Sequence, residues 1–175
     1  IAAVDGMAFG GGLAVALQAD FILASEGAKF CSVFGRIGLV PDMAVLYALP
    51  RAVGMQKAKE LMFTARSITA REAEAMDLLY AIHPAQDLLP AAHALAGRLA
   101  QGSKHAIGVT KKIVNRSFQS DYGAMAEMEA AAQAILFTTD FHQEAVRRFQ
   151  SKETPLYNWD ALDTLGDKSG DKSGD

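Results

Sequence analysis

Asp5-Gly6-Met7-Ala8-Phe9-Gly10-Gly11-Gly12-Leu13-Ala14-Val15-Ala16-Leu17-Gln18-Ala19-Asp20 is the stretch around which the chain is organised. The apolar run before it, Ile1 to Val4, reads as the end of a buried strand. Leu13 to Ala19 reads as a helix. The glycines therefore stand at a strand-to-helix junction. Three in a row make poor helix and poor strand, because a residue without Cβ loses the most backbone freedom on folding. Two uses remain open. One is a tight turn where a helix packs closely on a sheet. The other is an anion or oxyanion site made of main chain, since first-turn amides lack intrahelical partners and carry the positive end of the dipole. No G-x-G-x-x-G pattern is present and no Lys-Ser/Thr pair follows, so neither a dinucleotide fingerprint nor a P-loop is supported.

The 175 residues fit one domain, and with half of them hydrophobic and 21% charged a sizeable core can form. A net charge of −3 gives no reason to expect nucleic acid or an anionic membrane as partner. A single cysteine, Cys31, cannot form an intrachain disulfide. With the four dispersed histidines it gives no metal-ligand spacing, so no metal is expected. No apolar run approaches the roughly 20 residues that span a bilayer. The opening at Ile1, inside a strand, is expected to mark a fragment whose sheet continues upstream.

Beyond the glycines, Phe21 to Ala24 reads as a second strand, suggesting a parallel β-α-β unit. Phe30 to Val33 continues extended. Phe34 to Asp42 alternates glycine with apolar residues and reads as a rigid loop with two close backbone approaches, at Gly35 and Gly38. Asp42 is placed to cap a helix from Met43 to Leu49, ended near Pro50. A helix from Met55 to Thr64 puts Ala58, Leu61 and Met62 on one face. Thr69 and Glu72 form a capping box for a helix through Met76. Asp77 to Ile82 is strand-like. Four helices follow, Leu88–Gln101, Lys104–Phe118, Tyr122–Phe137 and Phe141–Gln150. Their apolar faces exceed what the short core can cover, which points to an oligomer. The Gly-Asp-Lys-Ser repeats of the tail are expected to be disordered.

Four stretches then resemble the crotonase family, the enoyl-CoA hydratase/isomerase superfamily. They are Ile1–Gly6 with Gly10-Gly11-Gly12 and Asp20; Ala24–Phe30; Ile37–Pro41 with Leu49–Gly54; and Asp140–Ala145 with Phe149–Lys152. The resemblance implies an α/β fold: residues 1–84 as the C-terminal part of a crotonase-like β-β-α spiral core, 85–157 as a helical trimerisation region, and 158–175 as the polar tail. It implies an acyl-CoA thioester as substrate, coenzyme A being part of that substrate and no separate cofactor. It also implies a homotrimer or dimer of trimers, and a cytoplasmic enzyme. By matching, Gly11 N–H is one of two donors to the thioester oxygen, with Gly10 beside it. Phe34, Leu39 and Phe149 would line the acyl site, and Lys152 would meet the CoA 3′-phosphate. A solvated lysine at a helix end is the other reading of Lys152.

Hydratases of the family hold a water between two glutamates. Here those positions are Ala14 and Phe34, which cannot move a proton. Asp42 is the remaining carboxylate, with Phe34, Leu39 and Val40 near it in sequence, and several family isomerases carry a functional aspartate at the matching place. One carboxylate suffices to move a proton from C2 to C4 of a 3-enoyl thioester. Δ3-to-Δ2 isomerisation with Asp42 as acid/base and Gly11 as oxyanion donor is thus the expected activity. Hydration of a 2-enoyl-CoA and a non-catalytic acyl-CoA-binding homologue are the alternatives. Asp42 as a helix cap alone is the structural alternative for that residue.

Overall fold

The computed structural model describes residues 1–161, so the Gly-Asp-Lys-Ser repeats, expected to be disordered, lie outside the described residues. Two compact units make up the chain, one from Ile1 to Ala96 and one from Gly97 onward.

In the first unit, β1 (Ala2–Val4) and β2 (Met7–Phe9) are separated by Asp5 and by Gly6, whose φ of 90° takes the chain from one sheet into another. The helix α1 (Gly11–Ala16) follows, then β3 (Ile22–Ser25) and β4 (Lys29–Cys31) repeat the pattern. β3 lies parallel to β1, with Ala2 opposite Ile22, and β4 lies parallel to β2, with Ala8 opposite Phe30. β6 (Ala81–His83) extends the first sheet in parallel, and β5 (Ile68–Thr69) closes the second antiparallel to β4. Parallel strands joined through a helix bury both faces. β3 accordingly is buried at every position.

The β-α-β expectation holds for β1, α1 and β3. Two details change. The strand feeding the glycines is β2, since one hydrophobic run is shared between two sheets. The helix starts at Gly11 rather than Leu13, so Gly11 and Gly12 form its first turn.

The stretch after Cys31 winds into a 3-10 turn, Val33–Ile37, ended by Gly38 at φ 72°. Of the two expected close approaches only Gly35 is one: a Cβ there would meet the Met62 carbonyl oxygen at 3.2 Å, whereas Gly38 has open space and supplies only the left-handed turn. α2 spans Val45–Val53, later at both ends than expected. Pro50 lies inside it rather than ending it. Leu46, one turn earlier, is exposed, so water can reach the carbonyl that the missing N–H leaves free. Gly54 at φ 80° ends the helix instead. α3 (Met55–Thr64) buries Ala58, Leu61 and Met62 as the spacing requires.

α4 (Ala70–Glu74) opens on the expected capping box. The Glu72 amide donates to Thr69 Oγ1 at 3.2 Å, and the Thr69 amide donates to the Glu72 carboxylate at 2.8 Å. Only the end of the strand-like 77–82 run is strand. Asp77 turns the chain at φ 62°, and Leu78 and Leu79 plug the core from irregular backbone. Phe30, Leu23, Leu49, Ile68, Leu88 and Val45 are the largest fully buried side chains.

α5 (Ala85–Ala100) starts earlier than expected and runs through Pro90 in its second turn, where the missing N–H leaves the Gln86 carbonyl without its usual partner. In the second unit, α6 (Lys104–Val114) and α7 (Tyr122–Leu136) are capped by Ser103 and Asp121, and α8 (Asp140–Gln150) by Thr139. None of these three helices has a buried residue. Ile107, Val114, Phe118, Tyr122, Ile135, Phe137 and Phe149 are exposed. A cleft of about 550 Å³ between α6 and α7 is lined by Val109, Ile113, Met125 and Leu136 among others. Among the described residues no helix is long and apolar enough to cross a membrane, and no cluster of His, Cys, Asp or Glu could hold a metal.

Candidate active site

The glycine turn is fixed from below by β4. The Gly10 amide donates to the Cys31 carbonyl at 3.0 Å, and the Gly10 carbonyl accepts the Ala14 amide at 3.0 Å, closing the first turn of α1. Gly10 has φ 53° and ψ −113°, a conformation that glycine tolerates best. A Cβ on it would also stand 3.1 Å from Val33 Cγ2 and 4.0 Å from Phe34 Cζ. The chain itself therefore requires glycine at position 10.

It does not require glycine at 11 or 12. Neither has positive φ. A Cβ at Gly11 would meet only Met43 Sδ at an ordinary 3.6 Å, and one at Gly12 only the Met7 carbonyl oxygen at 4.0 Å. Both residues are exposed, inside a helix where alanine would be better by about 1 kcal/mol. Packing within the chain thus accounts for one glycine of the three.

Phe34 is half-buried and packed on the core, with its ring tip toward Gly10. The 3-10 turn that carries it is tied down by Arg36. Arg36 Nε donates to the Ala65 carbonyl at 2.9 Å, and Nη2 reaches Cys31 Sγ at 3.4 Å. The Cys31 thiol donates to the same Ala65 carbonyl at 3.1 Å. Burial pushes that thiol above its usual range, against the smaller opposing pull of the Arg36 guanidinium, so it stays protonated and holds the loop.

Asp42 does not cap a helix with its side chain. α2 starts three residues later, its N-cap is Ala44, and no side chain caps it. Instead the Asp42 carbonyl accepts the Val45 amide at 3.0 Å across Met43 at φ 48° and Ala44 at φ 64°. This is a turn of the I′ kind, with both central residues left-handed and neither a glycine. Left-handed backbone costs a residue with Cβ roughly 1–2 kcal/mol. The turn sets the Met43 thioether against Gly11. Asp42 is exposed, as are Leu39, Val40 and Met43 (58%, 67% and 55%), so its apolar sequence neighbours stand open around it rather than enclosing it.

The structure thus brings Gly10, Gly11, Phe34 and the Asp42–Met43 turn to one place, with Leu39 on the adjoining loop. Met43 escaped the sequence reading. A Met-Ala pair carries none of the Asn-Gly signal that such a turn usually shows.

Phe149 and Lys152 belong to the second unit. Phe149 is exposed near the end of α8. Lys152 has φ 55° just past the helix, and its amide donates to the Phe149 carbonyl at 3.2 Å. The Glu153 amide reaches back to the Arg148 carbonyl at 2.9 Å, which completes a Schellman end. Arg147 bridges Glu144 and Glu153 across that end at 2.8 and 2.7 Å. Hydrogen bonds from Arg147 and Arg148 hold the Glu144 carboxyl down at about 2.

A family model described as enoyl-CoA hydratase/isomerase matches residues 1–160. The chain belongs to the enoyl-CoA hydratase/isomerase family. A Mycobacterium leprae relative named "probable enoyl-CoA hydratase" is 38% identical over 157 residues, 90% of this chain and 61% of its own. The crotonyl-CoA hydratase of Syntrophomonas wolfei is 34% identical over 152 residues, 87% of this chain and 58% of its own. A crystal structure of an enoyl-CoA hydratase/isomerase from Cupriavidus metallidurans has a TM-score of 0.84 at 42% identity, covering 87% of this chain and 58% of that one. This family member is α/β like its solved neighbour, and it spans about three-fifths of the length of the curated relatives it matches.

Proposed function

We propose that the protein binds an acyl-CoA thioester at the Gly10–Gly11 turn and shifts its double bond from Δ3 to Δ2. The observation that carries this reading is the unexplained glycine at 11. It is exposed at the start of a helix, uncrowded by its own chain, and it faces the turn that begins at Asp42. Bare backbone there suits an atom from outside the chain. Its amide, one of the first-turn donors without an intrahelical partner, suits developing negative charge.

The step balances with one carboxylate. Asp42 takes a proton from C2 of a 3-enoyl thioester. The C2–H electrons form a C1–C2 double bond as the carbonyl π pair moves onto the thioester oxygen, so the dienolate's charge rests there against Gly11 N–H. When that pair returns to the carbonyl, the C1–C2 pair becomes the C2–C3 double bond and the C3–C4 pair takes a proton at C4. Asp42, exposed and free to exchange its proton with solvent, delivers the proton that C4 takes. Gly10 keeps the turn open and Phe34 and Leu39 offer apolar contact to the acyl group; the family resemblance alone adds Phe149 at the acyl tunnel and Lys152 toward the CoA 3′-phosphate. A C-terminal part of a β-β-α spiral core and a trimer built on α5 to α8 belong to the same reading. The exposed apolar residues of α6 to α8 support the trimer.

A second reading is hydration of a 2-enoyl-CoA, favoured by the printed names of the relatives. Against it stand Ala14, fully buried, and Phe34, core-packed, where a water would need two carboxylates. The test is Asp42→Asn in the complete protein. Isomerisation of a 3-enoyl-CoA should fall by about 10²–10⁴-fold with thioester binding retained. Undiminished turnover would remove Asp42 from the chemistry.

A further inference from the structure

Met43 is held where it is by a conformation the chain would not choose. It and Ala44 are consecutive left-handed residues, closed by the Val45 amide on the Asp42 carbonyl at 3.0 Å. The Met43 side chain is not there to fill the core, since the residue is 55% exposed. Its sulfur stands 3.6 Å from the point where a Cβ of Gly11 would be. Strain kept at a non-core position calls for a use of the side chain that it places. A thioether is unbranched, polarizable and adaptable, well suited to touch an acyl chain.

We propose that Met43 is a specificity-determining residue whose thioether, laid beside Gly11 by the Asp42–Val45 turn, limits how much bulk an acyl thioester carries at the carbons next to its carbonyl. This rests on the reading of Gly11 as the thioester's oxyanion donor. A carbonyl oxygen held by the Gly11 amide brings the first carbons of the acyl group to the residue whose Cβ position the methionine sulfur already approaches at 3.6 Å. Short linear acyl groups pass under the sulfur, and branched or aromatic ones collide with it.

The test compares the complete protein with Met43→Ala and Met43→Leu. Alanine meets the same left-handed backbone without the long side chain, and leucine keeps the bulk. Circular dichroism and thermal melts confirm folding. The readouts are kcat/KM for a linear 3-enoyl-CoA against a 2-methyl-branched one, and calorimetric Kd values for the matching saturated acyl-CoAs. Met43→Ala should move both branched-to-linear ratios toward the branched ligand by tenfold or more, while Met43→Leu stays within threefold of wild type. A folded Met43→Ala with both ratios within twofold of wild type overturns the proposal while leaving the thioester reading intact. A shifted Kd ratio in a protein that shows no isomerisation sinks the isomerase reading and keeps this one. If the wild type binds neither acyl-CoA, both fall together.

Discussion

Gly10 and Gly11 are adjacent and answer to different constraints. At Gly10 a methyl group meets both a positive φ and Val33 at 3.1 Å. Gly10→Ala should cost about 1–2 kcal/mol and lower the melting temperature. At Gly11 neither constraint applies, so Gly11→Ala should leave stability unchanged or raise it by up to about 1 kcal/mol. Denaturant unfolding of the two variants checks the contrast. Equal destabilisation would mean that the chain's own packing explains both glycines and that the oxyanion reading loses its support. Asp42 opens the turn whose next residue, Met43, brings its sulfur to 3.6 Å from the Gly11 Cβ position. Losing a main-chain donor of this kind costs about 2.7–4 kcal/mol of transition-state stabilisation, so on the proposed isomerase reading Gly11 and Asp42 are each expected to be needed for turnover.

Among the elements, two ends give separable stability tests. Thr69 caps α4 through the Glu72 amide, and Glu72 answers through the Thr69 amide. Thr69→Ala should cost about 1 kcal/mol in denaturant unfolding. The end of α8 is electrostatic. The Glu144 carboxyl lies at about 2, well below the ordinary glutamate value of 4.5, held down by hydrogen bonds from Arg147 and Arg148. A depressed carboxyl stabilises the fold above its unfolded value, so its contribution is whole above about 4.5 and lost as pH falls toward 2. The stability gap between wild type and Glu144→Gln should therefore close over that window, and salt should narrow it at neutral pH because the pair is exposed. A gap that persists at pH 2 would contradict the ion-pair account.

These elements also divide into what the residues announced and what they hid. The capping box, the buried face of α3 and the parallel β1–β3 pair were legible, because each is a local pattern with one physical meaning. The division of the first hydrophobic stretch between two sheets was not, since a single turn at Gly6 decides it. The turn at Met43–Ala44 was hidden for a different reason. Neither residue is the glycine or asparagine that would announce consecutive left-handed backbone.

At the scale of the whole molecule, strands β1 to β6 hold the glycine turn from one side and leave Leu39, Val40 and Met43 open on the other. The second unit keeps its own apolar residues exposed on α6 to α8. A chain spanning about three-fifths of its relatives has these surfaces available, and the complete protein is expected to run as a trimer or a dimer of trimers in light scattering, not as a monomer. Family membership was readable in the residues because four spaced stretches agreed. The choice between isomerase and hydratase turns on only a few side chains, Ala14, Phe34 and Asp42.

That choice is tested most directly by giving the complete protein a 3-enoyl-CoA and a 2-enoyl-CoA in deuterated water and following both products by mass spectrometry and NMR. The expected result is conversion of the 3-enoyl thioester to the 2-enoyl isomer, with solvent deuterium appearing at C2 or C4 and no 3-hydroxyacyl product, all of it lost in Asp42→Asn. Accumulation of the 3-hydroxyacyl thioester from the 2-enoyl substrate, undiminished in Asp42→Asn, would contradict it.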